Sequence, residues 1–513
     1  MSDRNLYSAL RAAFPADLDR TAIETDSGLT YTWRDLERGV AMIANVLHSL
    51  ELPEGSRVAA QTEKSVEALM LYLATLRAGH VYLPLNTAYQ QSELEYFIGN
   101  AEPAVVVCSP ANFVWLSRLA FRAGTKNVYT LSDDRSGSLL DRAAQMSDRH
   151  EPVTRSADDL AAILYTSGTT GRSKGAMLTH GNLLSNARVL RDHWDWRAND
   201  VLIHALPIFH VHGLFVATHG ALLNGSKMVW LAKFEPKTVI ANLLRATVFM
   251  GVPTLYVRLL GDAHFTREVC ANMRVFISGS APLLLETFND FKQRTGHTIL
   301  ERYGMSETVM LSSNPCRVSD GERIGGTVGR ALPGVQLRIV DDQGATCGAD
   351  EIGAIEVRGP NVFAGYWRMP EKTKEEFTID ASGERWFKTG DVGSLNENGY
   401  LTIVARSKDL IISGGYNVYP AEVEGYINEM PGVGEAAVVG VPHPDFGEAV
   451  VAVVVRKPGA ALSADAIVAT LKEAIASFKV PKRVFVVDEL PRNAMGKVQK
   501  NVLREQHKGL YTR

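Results

Sequence analysis

Short apolar runs rich in β-branched residues alternate with longer amphipathic stretches through the first two-thirds of the chain. Residues 56–60 predict a strand, and residues 65–77 carry apolar side chains at helical spacing. The runs 104–108 and 160–165 are short, apolar and bounded by turn residues, as buried strands are. Strands alternating with helices imply βαβ units and a largely parallel sheet. From Val335 the texture changes. Residues 335–340, 353–358 and 400–404 predict short strands between Gly-containing turns, a small β-rich subdomain. After Arg406 a new unit is expected, with a helix at 422–430, strands at 435–441 and 448–456, a helix at 463–477 opened by a Ser463 N-cap, and a last strand at 482–487. About 105 residues suffice for an independent α+β core. No repeat, low-complexity tract or long Ser/Pro linker interrupts the chain, so the boundary between 1–405 and 406–513 is expected to be a short hinge. The expected class is mixed α/β: a large N-terminal domain of βαβ-type subdomains with a small β-rich subdomain, then a small mobile α+β domain.

Length agrees, since 513 residues exceed the roughly 250–300 at which single cores stop growing. With 46% hydrophobic and 22% charged residues the composition is that of a globular protein. The formal net charge of −3 offers no basic footprint for nucleic acid. Cys108, Cys270, Cys316 and Cys347 are scattered, without disulfide or zinc spacing. The N-terminal residues show no secretory pattern, and the most apolar stretch, 449–455, is far short of the ~20 residues of a membrane helix. These features set the expectation of a cytoplasmic protein with no membrane partner; oligomeric state is not legible.

The most informative stretch is Tyr165-Thr-Ser-Gly-Thr-Thr-Gly-Arg-Ser-Lys-Gly175, directly after an apolar run. Small residues let backbone N–H groups converge on an anion, the hydroxyls of Thr166, Ser167, Thr169 and Thr170 add donors, and Lys174 adds a positive charge. Neither a Walker loop nor G-x-G-x-x-G occurs. Six further motifs follow in order. They are Pro207-Ile-Phe-His210-x-x-Gly213, Ser278-Gly-Ser-Ala-Pro282, Tyr303-Gly-Met-Ser-Glu307, Lys388-Thr-Gly-Asp391, Arg406-Ser-Lys-Asp-Leu-Ile-Ile-Ser-Gly-Gly415 and Pro491-Arg-Asn-Ala-Met-Gly-Lys497. Together the seven resemble the adenylate-forming superfamily of acyl-CoA synthetases, luciferases and peptide-synthetase adenylation domains.

That resemblance implies activation of a carboxylate with ATP, then transfer to the thiol of coenzyme A. It implies that Thr166, Ser167, Gly168, Thr169, Thr170, Gly171 and Lys174 hold the departing phosphates, and that Glu307 helps coordinate Mg²⁺. Asp391 and Arg406 would take the ribose hydroxyls, Tyr303 would stack on adenine, and Ser280, Ala281, Pro282, Gly304 and Ser306 would complete the nucleotide pocket. Lys497 would be the catalytic lysine, with His210 and Glu307 as further catalytic residues. Lys408 would be the hinge, and rotation there would replace the lysine loop with Ser413, Gly414 and Gly415 to admit the pantetheine. Three positions depart from the family pattern: Ser173 for proline, Ser306 for threonine, and Ala405 for a glycine, the last a possible strain on the hinge if φ > 0 is needed there.

The acyl pocket implied by the resemblance contains two cations. Arg302 precedes Tyr303, and Arg258 follows Gly251-Val-Pro-Thr-Leu-Tyr-Val257. An arginine facing an apolar acyl chain would be a buried unpaired charge, costing on the order of 3–5 kcal/mol, whereas a second carboxylate on the substrate would pair with it. The motifs around both arginines are most similar to those of malonyl-CoA synthetases, which makes malonate the expected acid and methylmalonate a secondary one. A ligase for oxalate, a short fatty acid or an aromatic acid stays open, as do an amino-acid adenylation enzyme and a nucleotide-binding pseudoenzyme.

Overall fold

The computed structural model describes residues 3–166, 173–413, 416–475, 477–493 and 496–511. A seven-stranded sheet runs in the order Gly365–Tyr366, Lys174–Thr179, Leu160–Thr166, Val81–Pro84, Arg57–Gln61, Val105–Cys108, Asn127–Thr130. Its last five strands pair in parallel, as the βαβ pattern predicts. Helix Val66–Arg77 crosses between two of them and is buried along its whole length. Its start is set by Ser65, whose side chain accepts from the Ala68 N–H. One departure bears on the site: Lys174–Thr179 returns antiparallel to Leu160–Thr166, with Thr166 opposite Lys174. The phosphate-loop motif is therefore flanked by two antiparallel neighbours of one sheet.

A nine-stranded sheet holds the second layer, with Lys227–Trp230, Val201–His204, Val248–Gly251, Val275–Ser278 and Leu300–Tyr303 parallel at its centre. Apart from the edge positions Lys227 and Val201 these strands are buried, and the buried runs end on His204, Gly251, Ser278 and Tyr303. In parallel sheets ligands gather at those carboxyl ends. The expected β-rich subdomain is a sheet of Gln336–Val340, Gly353–Arg358, Arg385–Leu395, Phe377–Ile379 and Leu401–Arg406.

A single 3₁₀ turn, Ser407–Asp409, leads to Ile411–Ser413, which already belongs to the last sheet. There Val433–His443 and Gly447–Arg456 form a long hairpin, with Arg483–Val487 parallel to the second strand. Helices Pro420–Asn428 and Ala464–Ala474 cover it through Val423, Ile427, Ile467 and Leu471. The second helix stops three residues before its expected end. Ile475 turns extended, and the Ser463 side chain makes no capping bond. All four cysteines are free. No helix among the described residues is long and apolar enough to cross a membrane.

Candidate active site

Asp391 lies on strand Arg385–Leu395 directly opposite Arg406 on the next strand. The Tyr303 hydroxyl donates to its Oδ2 at 2.5 Å, and Arg406 Nε approaches its Oδ1 at 3.4 Å. Three residues from distant stretches of sequence thus share one buried carboxylate. Gly304 follows Tyr303 where the chain doubles back, and a Cβ there would collide with the Val309 carbonyl. Ser306 is half-buried in that turn.

Glu307, at the turn's end, is buried and accepts from the Tyr366 hydroxyl at 2.9 Å. Burial pushes its carboxyl up, against the pull of Tyr366, Lys174 and Arg406. Lys174 sits 4.3 Å from the centre of the same Tyr366 ring and pairs with Glu376 at 3.1 Å. The loop lysine and the carboxylate are thus brought onto one aromatic post. Ser167, Gly168, Thr169, Thr170 and Gly171, with Gly414 and Gly415, lie outside the described residues. Thr166 is placed at the end of its strand, opposite Lys174.

Lys497 is carried by a tight turn. Its N–H donates to Asn493 Oδ1, its carbonyl accepts from the Asn493 N–H, and Gly496 takes φ +74°. A Cβ on Gly496 would lie 3.0 Å from Thr254 Oγ1, so the turn rests on the large domain's helix Pro253–Leu260. Lys497 is pushed down to about 8, by burial first and then by Arg406, with Asp391 pulling it back up. His210 also feels Lys497. Burial, Arg302 and Lys497 together press it to about 4, so the imidazole is neutral.

Arg302 is 2% exposed. Its guanidinium lies on the backbone of Gly279, where a Cβ would come within 2.5 Å of Cζ. Among the described residues nothing accepts from its Nε or Nη2, the pair of atoms that forms one bidentate edge. Burial drives it down to about 9. The neighbouring Glu301 is no partner. It accepts from the Gly326 N–H at 3.4 Å, and burial raises it to about 8. Arg258 is exposed, 4.9 Å over the Phe234 ring, and lines a cavity of about 510 Å³ with Lys64, Thr254, Asn493 and Gly496.

Ser280 adopts φ +70°, and its hydroxyl lies 3.4 Å from His212 Nδ1, while Ala281 and Pro282 continue on the loop as half-buried and exposed residues. Lys408 occupies the 3₁₀ turn and is held low by burial and by Arg406. Ser413 is buried on its strand, opposite Gly447. Ala405 is not among the positive-φ residues, so the absent glycine puts no backbone strain there. Tyr366, Glu376 and His212 were not found by sequence reasoning. No motif spacing ties 366 or 376 to 174 or 307; only the added strand Gly365–Tyr366 does so.

Residues 10–367 match the family model described as AMP-binding enzyme, and residues 422–497 match the AMP-binding enzyme C-terminal domain. The malonate–CoA ligase of Arabidopsis thaliana is 32% identical over 556 residues, covering 98% of this chain and 89% of that protein. The crystal structure of ATP-bound MatB from Rhodopseudomonas palustris is 54% identical, covers 99% of this chain and 100% of that one, and superposes with a TM-score of 0.96. The apo structure of the same protein, at the same identity and coverage, superposes with 0.84. At equal identity and coverage, the chain superposes more closely on the ATP-bound structure than on the apo one.

Proposed function

This chain belongs to the AMP-binding enzyme family, and from that premise we infer that it joins malonate to coenzyme A through a malonyl-adenylate, releasing AMP and pyrophosphate. One malonate carboxylate attacks the α-phosphorus of ATP, and the bond to pyrophosphate breaks. The thiol of coenzyme A, losing its proton, then attacks the acyl carbon and AMP departs. A free carboxylate resists thiols because its carbonyl is shielded by delocalised charge; as an adenylate it has a good leaving group.

The residues divide that work as follows. Asp391 and Arg406 receive the ribose hydroxyls, and Tyr303, anchored through its hydroxyl to Asp391, presents its ring to adenine. Lys174 with the 166–171 loop holds the phosphates that leave. Lys497, facing Asp391 and Arg406, offsets the repulsion between the two anions that must meet. His210 is a neutral wall of the acyl site, able to exchange hydrogen bonds without adding charge. Mg²⁺ fits the donor set: a buried carboxylate, Glu307, whose burial penalty a cation would relieve, beside the phosphate-holding lysine. When bound, the ion would neutralise charge along the phosphates.

The domains are 1–405 and 406–513, hinged at Lys408 inside the short Ser407–Asp409 turn. Lys497 is needed for the first step and obstructs the second, so a rotation that withdraws it and brings Ser413, Gly414 and Gly415 forward serves both. The cavity beside Thr254 and Gly496 supports a pantetheine route, with Arg258 a cation at its rim. A cytoplasmic location rests on the four free cysteines.

The observation that carries the choice of acid is Arg302, a buried guanidinium with one bidentate edge unfilled. The test is pyrophosphate release with acetate, butyrate, benzoate, oxalate, malonate, methylmalonate and succinate. Malonate is expected to give the highest kcat/KM, with methylmalonate next. A higher value for butyrate or benzoate overturns the assignment.

A further inference from the structure

One helix reaches both strands that flank the phosphate motif. Helix Gln91–Ala101 buries Leu94, Phe97, Ile98 and Ala101 in a core that includes Ile163 and Tyr165 of strand Leu160–Thr166. Its start is fixed by Glu93, whose carboxylate accepts from the Gln90 N–H at 2.8 Å. At its end Arg57 donates to the carbonyls of Ala101 and Glu102, and Arg368 holds both carboxylate oxygens of Glu102 at 2.9 and 2.6 Å. Fastened at both ends, the helix is a fixed post.

Two side chains leave that post one turn apart, at positions 96 and 100, and so share a face. The Tyr96 hydroxyl donates to the Ser173 carbonyl at 2.8 Å. Asn100 Oδ1 accepts from the Tyr165 hydroxyl at 2.5 Å. One bond falls on the residue before Lys174, the other on the residue before Thr166. The two strands meet in register there, Tyr165 opposite Gly175 and Thr166 opposite Lys174. Trp367 completes the frame: its backbone N–H donates to the Gly175 carbonyl at 2.8 Å, and its indole N–H to the Asn100 carbonyl at 3.1 Å.

Both bonds are ones the fold has reason to keep. Tyr165 is buried, with its ring 4.5 Å from that of Phe97, and burial raises its hydroxyl so that it stays a donor. Without Asn100 that donor would be left unpaired in a dry place, which is costly. Ser173 stands where the motif's resemblance predicts proline, so no ring fixes φ before Lys174. The bond from Tyr96 restrains that point of the chain instead. Restraint matters because the Lys174 ammonium has other places to go: it lies 4.3 Å over the Tyr366 ring and 3.1 Å from Glu376.

We propose that Tyr96 and Asn100 are positioning residues for adenylation, clamping the strands on either side of the phosphate motif so that Lys174 and Thr166 meet the departing phosphates of ATP. This rests on the reading of Lys174 as a holder of those phosphates and deepens it. Tyr303 and Asp391, which serve the nucleoside, stand on other strands. The clamp therefore acts on a nucleotide only through the phosphates beyond the first, which AMP lacks.

The experiment measures Kd for ATP and for AMP in the wild type and in Tyr96→Phe, Asn100→Leu, Tyr165→Phe, the double variant Asn100→Leu/Tyr165→Phe, and Lys174→Ala. Each single clamp variant is expected to weaken ATP about three- to tenfold, the worth of one hydrogen bond, with AMP held within about twofold. The double variant removes both ends of one bond, so it should be no worse than the weaker-binding single. Thioester formation from supplied malonyl-adenylate, which needs no pyrophosphate contact, should keep its wild-type rate. Equal weakening of ATP and AMP would mean a general loosening of the fold and overturns the proposal, as do additive losses in the double variant. Should Asn100→Leu fail to fold, Tyr96→Phe and Tyr165→Phe decide it. An ATP Kd unmoved in Lys174→Ala defeats the phosphate reading and the clamp with it. A weakened one beside unchanged clamp variants defeats the clamp alone, so the two failures are distinguishable.

Discussion

Lys497 shows how a single side chain fixes the working pH. Dry surroundings and the like charge of Arg406 bring its ammonium down to about 8, so near neutrality the free protein still carries the proton. As pH rises past that value the proton leaves, and the charge that offsets carboxylate–phosphate repulsion goes with it. Measured with ATP as the varied substrate, the profile of kcat/KM for malonate-dependent pyrophosphate release reports the protein free of ATP. It should therefore fall above about pH 8 with the slope of one proton. Once ATP is bound its phosphates favour the charged form, and kcat should break at a higher pH than kcat/KM. Profiles that stay flat well past pH 8, or that break in the reverse order, would mean that this ammonium does not carry the first step.

Elements place these side chains, and small features of the elements decide whether they meet. The guanidinium of Arg302 lies on Gly279 so closely that a methyl group at Gly279 would come within 2.5 Å of Cζ. Gly279→Ala should therefore displace Arg302 and raise the malonate KM, with the ATP KM little changed; equal effects on both would point to a general loosening of the strand ends. Helix Val66–Arg77, packed on all sides, depends on its Ser65 cap, and Ser65→Ala should lower stability by ~1 kcal/mol in denaturant unfolding. Most of these elements are legible in the chain, because strand and helix periodicity survives in single segments: Gly353–Arg358 has the predicted bounds, and Val66–Arg77 starts one residue late. The end of helix Ala464–Ala474 is not, since Ile475 turns extended inside a run that continues to read as helical. Motif residues such as Asp391, Arg406 and Tyr303 announce themselves by local pattern, and they do converge. Tyr366 does not. Its role comes from which strand lies beside which, and pairing across nearly two hundred residues leaves no mark in either segment.

At the scale of the whole molecule, two reactions share one cleft and one lysine. The turn bearing Lys497 rests against Thr254 of the large domain, and the chain superposes on the ATP-bound relative better than on the apo one. If that arrangement serves adenylation alone, Lys497→Ala should abolish pyrophosphate release while leaving thioester formation from supplied malonyl-adenylate largely intact. Equal loss of both would place the lysine in both steps. The choice of acid rests on the buried cation at the other end of the site. The most direct measurement is the malonate KM of Arg302→Ala beside its ATP KM. Losing a buried charge pair costs on the order of 3–5 kcal/mol, so the malonate KM should rise by at least ~100-fold while the ATP KM stays within a few-fold. A malonate KM that does not move would contradict the account.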